Sequence, residues 1–343
     1  MNKKNSSILF FKNKNQNLHF MQYRMLGRTG LRVSEIGHGL WGMGDWSGVE
    51  TDECEHALNV SLENECNAFD SAWAYGKGLS DKLLGRLVAA NPQKEIIAAS
   101  KIPPKNHRWP GSSENELSEV FPFDYVLDTA LKINKAIGKN PIELLQYHVW
   151  DDSWANESEF KETVIALKEK KLVRYFGLSL NRWEPENGMK AIETGLVDTV
   201  QVIYNIFDQS PEDHLFPLCE KMNIWVIARV PLDEGSLGGK MTLQSTFPAS
   251  DWRARYFGPK NLPETIKRVE ELKKIVPDGM SLPELALRFI LENKTVSTTI
   301  VGMRTENHTI SNLKCSDGSR LPEQVVIELK NHRWDRKVAS WAS

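Results

Sequence analysis

Four cysteines are all that the 343 residues contain, at positions 54, 66, 219 and 315, and no two of them form a C-x-x-C pair. That excludes a disulfide framework and a thiol-ligated metal. It leaves buried free thiols in a reducing compartment, so the expected location is cytoplasmic and no metal is expected. Long apolar runs are also missing: the longest are strand-length, which excludes a membrane-spanning helix and a membrane partner. Charge of one sign is missing as well. Lys and Arg number 43 against 45 Asp and Glu, a formal net charge of -2, so there is no basic footprint for nucleic acid and no acidic tail. No Gly/Ser-rich or Pro-rich linker interrupts the sequence, and no repeat of 20–50 residues stands out.

What is present is an ordinary globular composition, 41% hydrophobic and 26% charged. Residues 1–20 differ from the rest. They are rich in Lys, Asn and Gln, hold no acid, and lack the apolar core and cleavage site of a signal peptide. They read as a disordered extension, with residues 21–343 as a single domain. Residues 22–33 alternate around a glycine-bearing turn, which predicts a β-hairpin. Strand patterns then cover 35–41, 68–72, 95–101, 143–148, 173–180, 199–204, 224–230 and 298–302. Helical patterns cover 52–65, 80–90, 125–138, 157–170, 184–193, 211–221, 263–276, 282–291 and 305–315, with a further helix near 322–330. Eight strands, each followed by a helix, predict an α/β fold of the (β/α)8 TIM-barrel type. Two long loops are expected at its C-terminal face, roughly 102–123 and 232–262. Connections of that length in a compact domain are usually functional. The cation–aromatic run from Trp252 to Phe257 in the second is equally consistent with loop packing.

Gly37-His38-Gly39-Leu40-Trp41-Gly42 matches G-x-G-x-x-G, but no helix opens at the third glycine, so a Rossmann site is rejected. The strand ends carry more. The second barrel strand ends at Asp70, and Tyr75 follows on a loop before a helix that Ser80 is expected to cap. The third strand ends in Ser100-Lys101 and the fourth in Gln146-Tyr147-His148. Strand ends of a barrel converge on one pocket. There Lys101 offsets the Asp70 carboxylate and favours the Tyr75 phenolate. Two unit charges about 4 Å apart interact by roughly 4 kcal/mol near a protein surface. Half of that predicts a Tyr75 pKa more than one unit below the usual value of about 10. A tyrosine so tuned serves as a proton donor, and His148 can hold a carbonyl oxygen. Trp41 and Trp73 flank this pocket, with Trp109 and Trp150 on nearby loops. A pocket wall and simple packing account for them equally well.

With Phe69-Asp70-Ser71-Ala72-Trp73-Ala74-Tyr75-Gly76, Ser100-Lys101, Tyr147-His148, Phe176-Gly177-Leu178-Ser179 and Thr299-Ile300-Val301-Gly302-Met303-Arg304, the sequence resembles the aldo-keto reductases, in particular their bacterial branches, from about Gln22 to Cys315. The resemblance implies a barrel with an extended nicotinamide cofactor across its C-terminal face. It implies a catalytic set of Asp70, Tyr75, Lys101 and His148, with Tyr75 as general acid in reduction. It further implies carboxamide contacts from Ser179 and Gln201, with Asn181 displaced by one residue through Leu180. Asp70 and Trp41 border the cofactor, and Arg229 stands where many members stack an aromatic on the nicotinamide. Pro231, Leu232, Gly235, Leu237 and Lys240 form a pyrophosphate strap. Gly302, Met303, Arg304, His308 and Asn312 face the adenosine 2′-phosphate, favouring NADP(H) over NAD(H). The implied activity is NAD(P)H-dependent reduction of an aldehyde, ketone or sugar carbonyl to an alcohol. A sugar dehydrogenase working in the oxidising direction and a cofactor-holding regulatory subunit are the alternatives. The partner is a small-molecule substrate, and the sequence leaves the oligomeric state open.

Overall fold

The computed structural model describes residues 21–25, 27–44, 50–249 and 251–336. The expected extension over residues 1–20 lies outside them. Strands β1 (Tyr23–Met25) and β2 (Arg32–Ser34) pair antiparallel with Arg24 opposite Val33, the hairpin expected from the alternation. Eight parallel strands then close on themselves: β3 (Ile36–Gly39), β4 (Ala68–Asp70), β5 (Ile97–Ile102), β6 (Ile142–Tyr147), β7 (Val173–Ser179), β8 (Thr199–Ile203), β9 (Trp225–Arg229) and β10 (Val296–Gly302). They follow chain order around the wall, and β10 pairs with both β9 and β3.

Around them lie α1 (Thr51–Glu63), α2 (Leu79–Ala90), the short α3 (Leu117–Val120), α4 (Phe123–Ile137), α5 (Ser158–Glu169), α6 (Met189–Glu193) and α7 (Leu215–Met222). Beyond these come the short α8 (Arg253–Tyr256), α9 (Asn261–Lys273), α10 (Leu282–Glu292), α11 (Glu306–Leu313) and α12 (Glu323–Lys330). The expected 184–193 helix is cut to α6 because Pro185 and Gly188 interrupt its first turns. Among the described residues no helix is long and apolar enough to cross a membrane.

The strand sequences build two cores at once. Successive side chains point to opposite faces. Ala68, Ile97, Ala99, Leu144, Trp225 and Ile227 fill the barrel interior together with Val33 from the hairpin, which closes the bottom. The alternate row, including Phe69, Ala98, Ile102, Leu145 and Val226, packs outward against the helices. Tyr175 fastens the hairpin by donating to Thr29 O at 2.7 Å. Gly85 lets α2 cross close to α4: a Cβ there would stand 2.2 Å from Ala136 O.

Ser80 does not cap α2. Gly78 precedes the helix with φ of 87° and no side chain caps the first turn. The left-handed Gly76 and Gly78 let the helix begin at Leu79. The Ser80 hydroxyl turns inward instead, 2.7 Å from Ser71 Oγ and within 3.2 Å of Ala72 O.

Candidate active site

Strand parity decides which side chains meet. The inward row of β4 runs from Ala68 to Asp70, that of β5 from Ile97 through Ala99 to Lys101, and that of β6 through Leu144 and Gln146 toward His148, just past the strand end. The same counting brings Ser179, Gln201, Arg229 and Gly302 to the tops of β7, β8, β9 and β10. Each strand thus contributes one polar or small residue where its apolar row stops, and all lie at the C-terminal mouth.

Asp70 and Lys101 form an ion pair at the centre, 4% and 0% exposed. Lys101 Nζ donates to Asp70 Oδ2 at 2.5 Å and to Ser71 O at 2.8 Å. Gln201 Nε2 donates to the other carboxylate oxygen at 2.9 Å. The Lys101 ammonium stands 5.3 Å from the centre of the Tyr75 ring, and Tyr75 meets His148 edge-on with ring centres 5.6 Å apart. Trp109, 46% exposed, covers His148 edge-on at 4.7 Å. It is a candidate for pocket wall or packing, and here it reaches the mouth from the first long loop to lie on His148.

The electrostatics differ from the expectation in one respect. Burial pushes the Tyr75 hydroxyl up from its usual value of 10, and the pull of Lys101 in the other direction does not cancel it. The expected lowering does not occur, because desolvation at the barrel mouth outweighs the cation. Burial lowers Lys101 as well, but Asp70 and Tyr75 outweigh that and hold it above its usual 10.5. His148 goes well below 6.5 through burial and the charges of Lys101 and Arg229. At neutral pH the set is therefore a protonated tyrosine, an ammonium and a neutral imidazole whose buried Nδ1 has no partner.

Arg229 Nη2 donates to Leu180 O at 2.9 Å, while its Nε is buried without a partner. Burial and then the neighbouring Arg182 push this guanidinium down to about 10. Asn181 is committed elsewhere: its Nδ2 donates to Gly111 O at 2.9 Å and Glu184 Oε2 at 2.9 Å, and its Oδ1 accepts from Gly111 N at 3.2 Å. It holds the Trp109 loop onto the barrel. Ser179 is 3% exposed at the mouth.

After β9 the chain makes a 3-10 turn over Asp233–Gly238, in which Asp233, Glu234 and Gly235 take left-handed φ of 43°, 55° and 99°. Side chains hold this turn in place. Glu234 pairs with Arg182 at 2.7 Å. Asp233 accepts from Ser236 at 2.6 Å and Tyr256 at 2.9 Å, and it pairs with Arg336 at 2.8 Å. Arg336 also pairs with Asp208, which Asn205 holds at 2.9 Å. Arg182 lies over the Trp252 ring at 4.6 Å, so the cation–aromatic run packs on the turn. Sequence reasoning did not single out Arg182, Asp208, Asp233 or Arg336. A left-handed Asp-Glu-Gly turn is the signal that could have drawn attention there. Of the expected strap residues, Leu237 is buried in the core and Lys240 is exposed.

At the far side of the mouth, Arg304 lies against Gly42, its Cδ 2.7 Å from where a Cβ would stand, in the segment that carries Trp41. Thr305 caps α11 by accepting from His308 N at 3.3 Å. Glu306 in its first turn meets His56 at 2.9 Å. Met303 and Asn312 are buried, whereas His308 is exposed.

The closed eight-strand barrel thus gathers an ion pair, a tyrosine and a histidine at its C-terminal mouth. The profile of the aldo/keto reductase family matches residues 35–333, and the chain belongs to that family. It is 26% identical over 315 residues to the uncharacterized oxidoreductase YqkF of Bacillus subtilis, covering 91% of this chain and 96% of that one. It is 23% identical to the NADH-specific methylglyoxal reductase of Escherichia coli, covering 85% and 94%. The fold of the aldo-keto reductase AKR11C1 from Bacillus halodurans, in its holo form, superposes with a TM-score of 0.74 at 20% identity, over 94% of this chain and all of that one.

Proposed function

We propose that the protein reduces an aldehyde or ketone, sugars included, to the alcohol, using a nicotinamide cofactor with preference for NADP(H). The observation that carries this reading is the arrangement at the mouth. Tyr75 stands edge-on to His148 with ring centres 5.6 Å apart, and beside it is the Lys101 ammonium, locked on the Asp70 carboxylate at 2.5 Å.

The residues present fit the cofactor. Arg229 Nε and His148 Nδ1 are buried donors or acceptors without partners, and Gly302 faces open space. Ser179, Gln201 and Arg229 would hold the nicotinamide end. The turn from Pro231 through Lys240 would hold the pyrophosphate, and Arg304 with the capped start of α11 the adenosine phosphate. Lys101 and Gln201 leave the Asp70 carboxylate satisfied, so it serves the lysine and not the substrate. When bound, the cofactor supplies the hydride for the carbonyl carbon. The chain's own part is acid chemistry: His148 orients the carbonyl oxygen, Tyr75 delivers the proton to it, and Lys101 stabilises the phenolate left behind. Trp109 keeps water from the transfer. Tyr75→Phe should lower turnover by about 10²–10⁴-fold while cofactor affinity stays the same. Near-normal kcat in this variant would refute the role of Tyr75.

Tryptophan fluorescence titration with NADPH and NADH tests the cofactor. Tighter NADPH binding, lost in Arg304→Ala without change for NADH, supports the phosphate role. Equal affinities remove the NADP preference, and binding of neither overturns the reductase reading.

A further inference from the structure

Behind the mouth, on the outward side of the barrel wall, lies a second buried carboxylate that the mechanism above does not use. Asp81, in the first turn of α2, is 0% exposed. Its Oδ1 accepts from Ser100 Oγ at 2.8 Å, and its Oδ2 is buried with no partner. Ser100 is on the outward row of β5 and directly precedes Lys101. The adjacent Ser80 hydroxyl stands 2.7 Å from Ser71 Oγ. Ser71 directly follows Asp70, and its carbonyl accepts from Lys101 Nζ at 2.8 Å. One helical turn therefore grips both strand ends that carry the Asp70–Lys101 pair.

A buried carboxyl with one oxygen unsatisfied is costly, and an apolar residue would fill the same space without that cost. We propose that Asp81 is a positioning residue for carbonyl reduction: anchored on Ser100, it fixes the end of β5 and sets negative charge behind Lys101, holding the ammonium where Tyr75 needs it. This rests on the reductase reading above.

The charged groups that act on Asp81 are Lys101 and Asp70, with the Ser71 and Ser100 hydroxyls. Burial raises the carboxyl, the two serines and Lys101 pull it back and Asp70 adds to the rise, so that it stands at about 6. Asp81 is thus ionised at pH 8 and loses its charge as pH falls through about 6. The protonated form accepts a weaker bond from Ser100 and no longer attracts Lys101.

Two measurements test this. In kinetics, wild-type kcat should fall as pH drops through about 6. Asp81→Asn, which keeps an acceptor for Ser100 but carries no charge, should show kcat lowered about tenfold at pH 8. It should have no step near pH 6 and an unchanged cofactor dissociation constant. A step that persists in Asp81→Asn, or an unchanged kcat, overturns the proposal.

The second measurement needs no cofactor or turnover. The side-chain carboxyl carbon resonance of Asp81, assigned in wild type through its correlations to the Asp81 backbone, is titrated by NMR in wild type, Lys101→Met and Ser100→Ala. Removal of the lysine or of the hydroxyl donor should raise the midpoint in each case. A midpoint that stays in place in both variants overturns the proposal even if Asp81→Asn fails to fold. Inactive wild-type protein with the midpoint shifts intact refutes the reductase reading and leaves the Asp81–Lys101 coupling standing.

Discussion

Replacing Lys101 by methionine keeps most of the side-chain volume and removes the ammonium from a site with no access to water. Asp70, 4% exposed, then loses the donor at 2.5 Å and keeps only Gln201 at 2.9 Å. Breaking a buried ion pair by removing one partner costs about 3–5 kcal/mol. The surviving charge-assisted bond from Gln201, of a kind worth about 1.5–3 kcal/mol, places the expectation near the lower end, about 3 kcal/mol. Asp70→Asn in the same background removes the uncompensated charge. The double variant should therefore be more stable than Lys101→Met, with a coupling of about 2 kcal/mol across the cycle. Equilibrium urea unfolding of the four proteins at pH 7.5 measures this directly. A double variant as unstable as Lys101→Met alone would refute the reasoning, and the loss would then belong to packing.

Arg336→Met should destabilise the protein by about 3–5 kcal/mol, because it leaves the buried Asp208 and Asp233 facing each other without the guanidinium between them. Thermal or urea unfolding reads the loss, and an unchanged midpoint counts against the cluster. His148 should stay neutral as pH falls well below 6.5, since burial and two cations oppose its charging. Its imidazole resonances in a pH titration would show an ordinary midpoint if the site were open to water.

The barrel was legible in the sequence because its signals are local and periodic. β5 reads Ile97-Ala98-Ala99-Ser100-Lys101-Ile102, and the inward row that ends in Lys101 follows from counting by two. The same parity makes Asp70 and His148 visible as strand-end residues. The Tyr75 shift was misjudged because pairwise charge can be imagined from sequence, whereas desolvation depends on everything packed around the hydroxyl. Ser80 was misread for a related reason: a serine before an amphipathic run fits a cap until the tertiary fold offers its hydroxyl Ser71 instead. Asn181 gave no hint of Gly111, 70 residues earlier. The Arg336 cluster joins residues from four separate segments across a span of 128 positions, and no spacing rule reaches that far.

That cluster has a consequence for how the molecule is made. Asp208, Asp233 and Tyr256 are all synthesised before Arg336, and the turn over the mouth, which carries Asp233, is held by Tyr256 and Arg336. During translation the barrel strands can all be in place while the two buried acids still lack their cation. Arg182, Ser236 and Tyr256 can already hold the turn, and the Asp208–Asp233 side of the clasp is completed only when Arg336 arrives. Biosynthesis thus has an order in which the scaffold precedes the clasp, and a chain stopped short of Arg336 would hold its barrel with an incompletely fastened mouth.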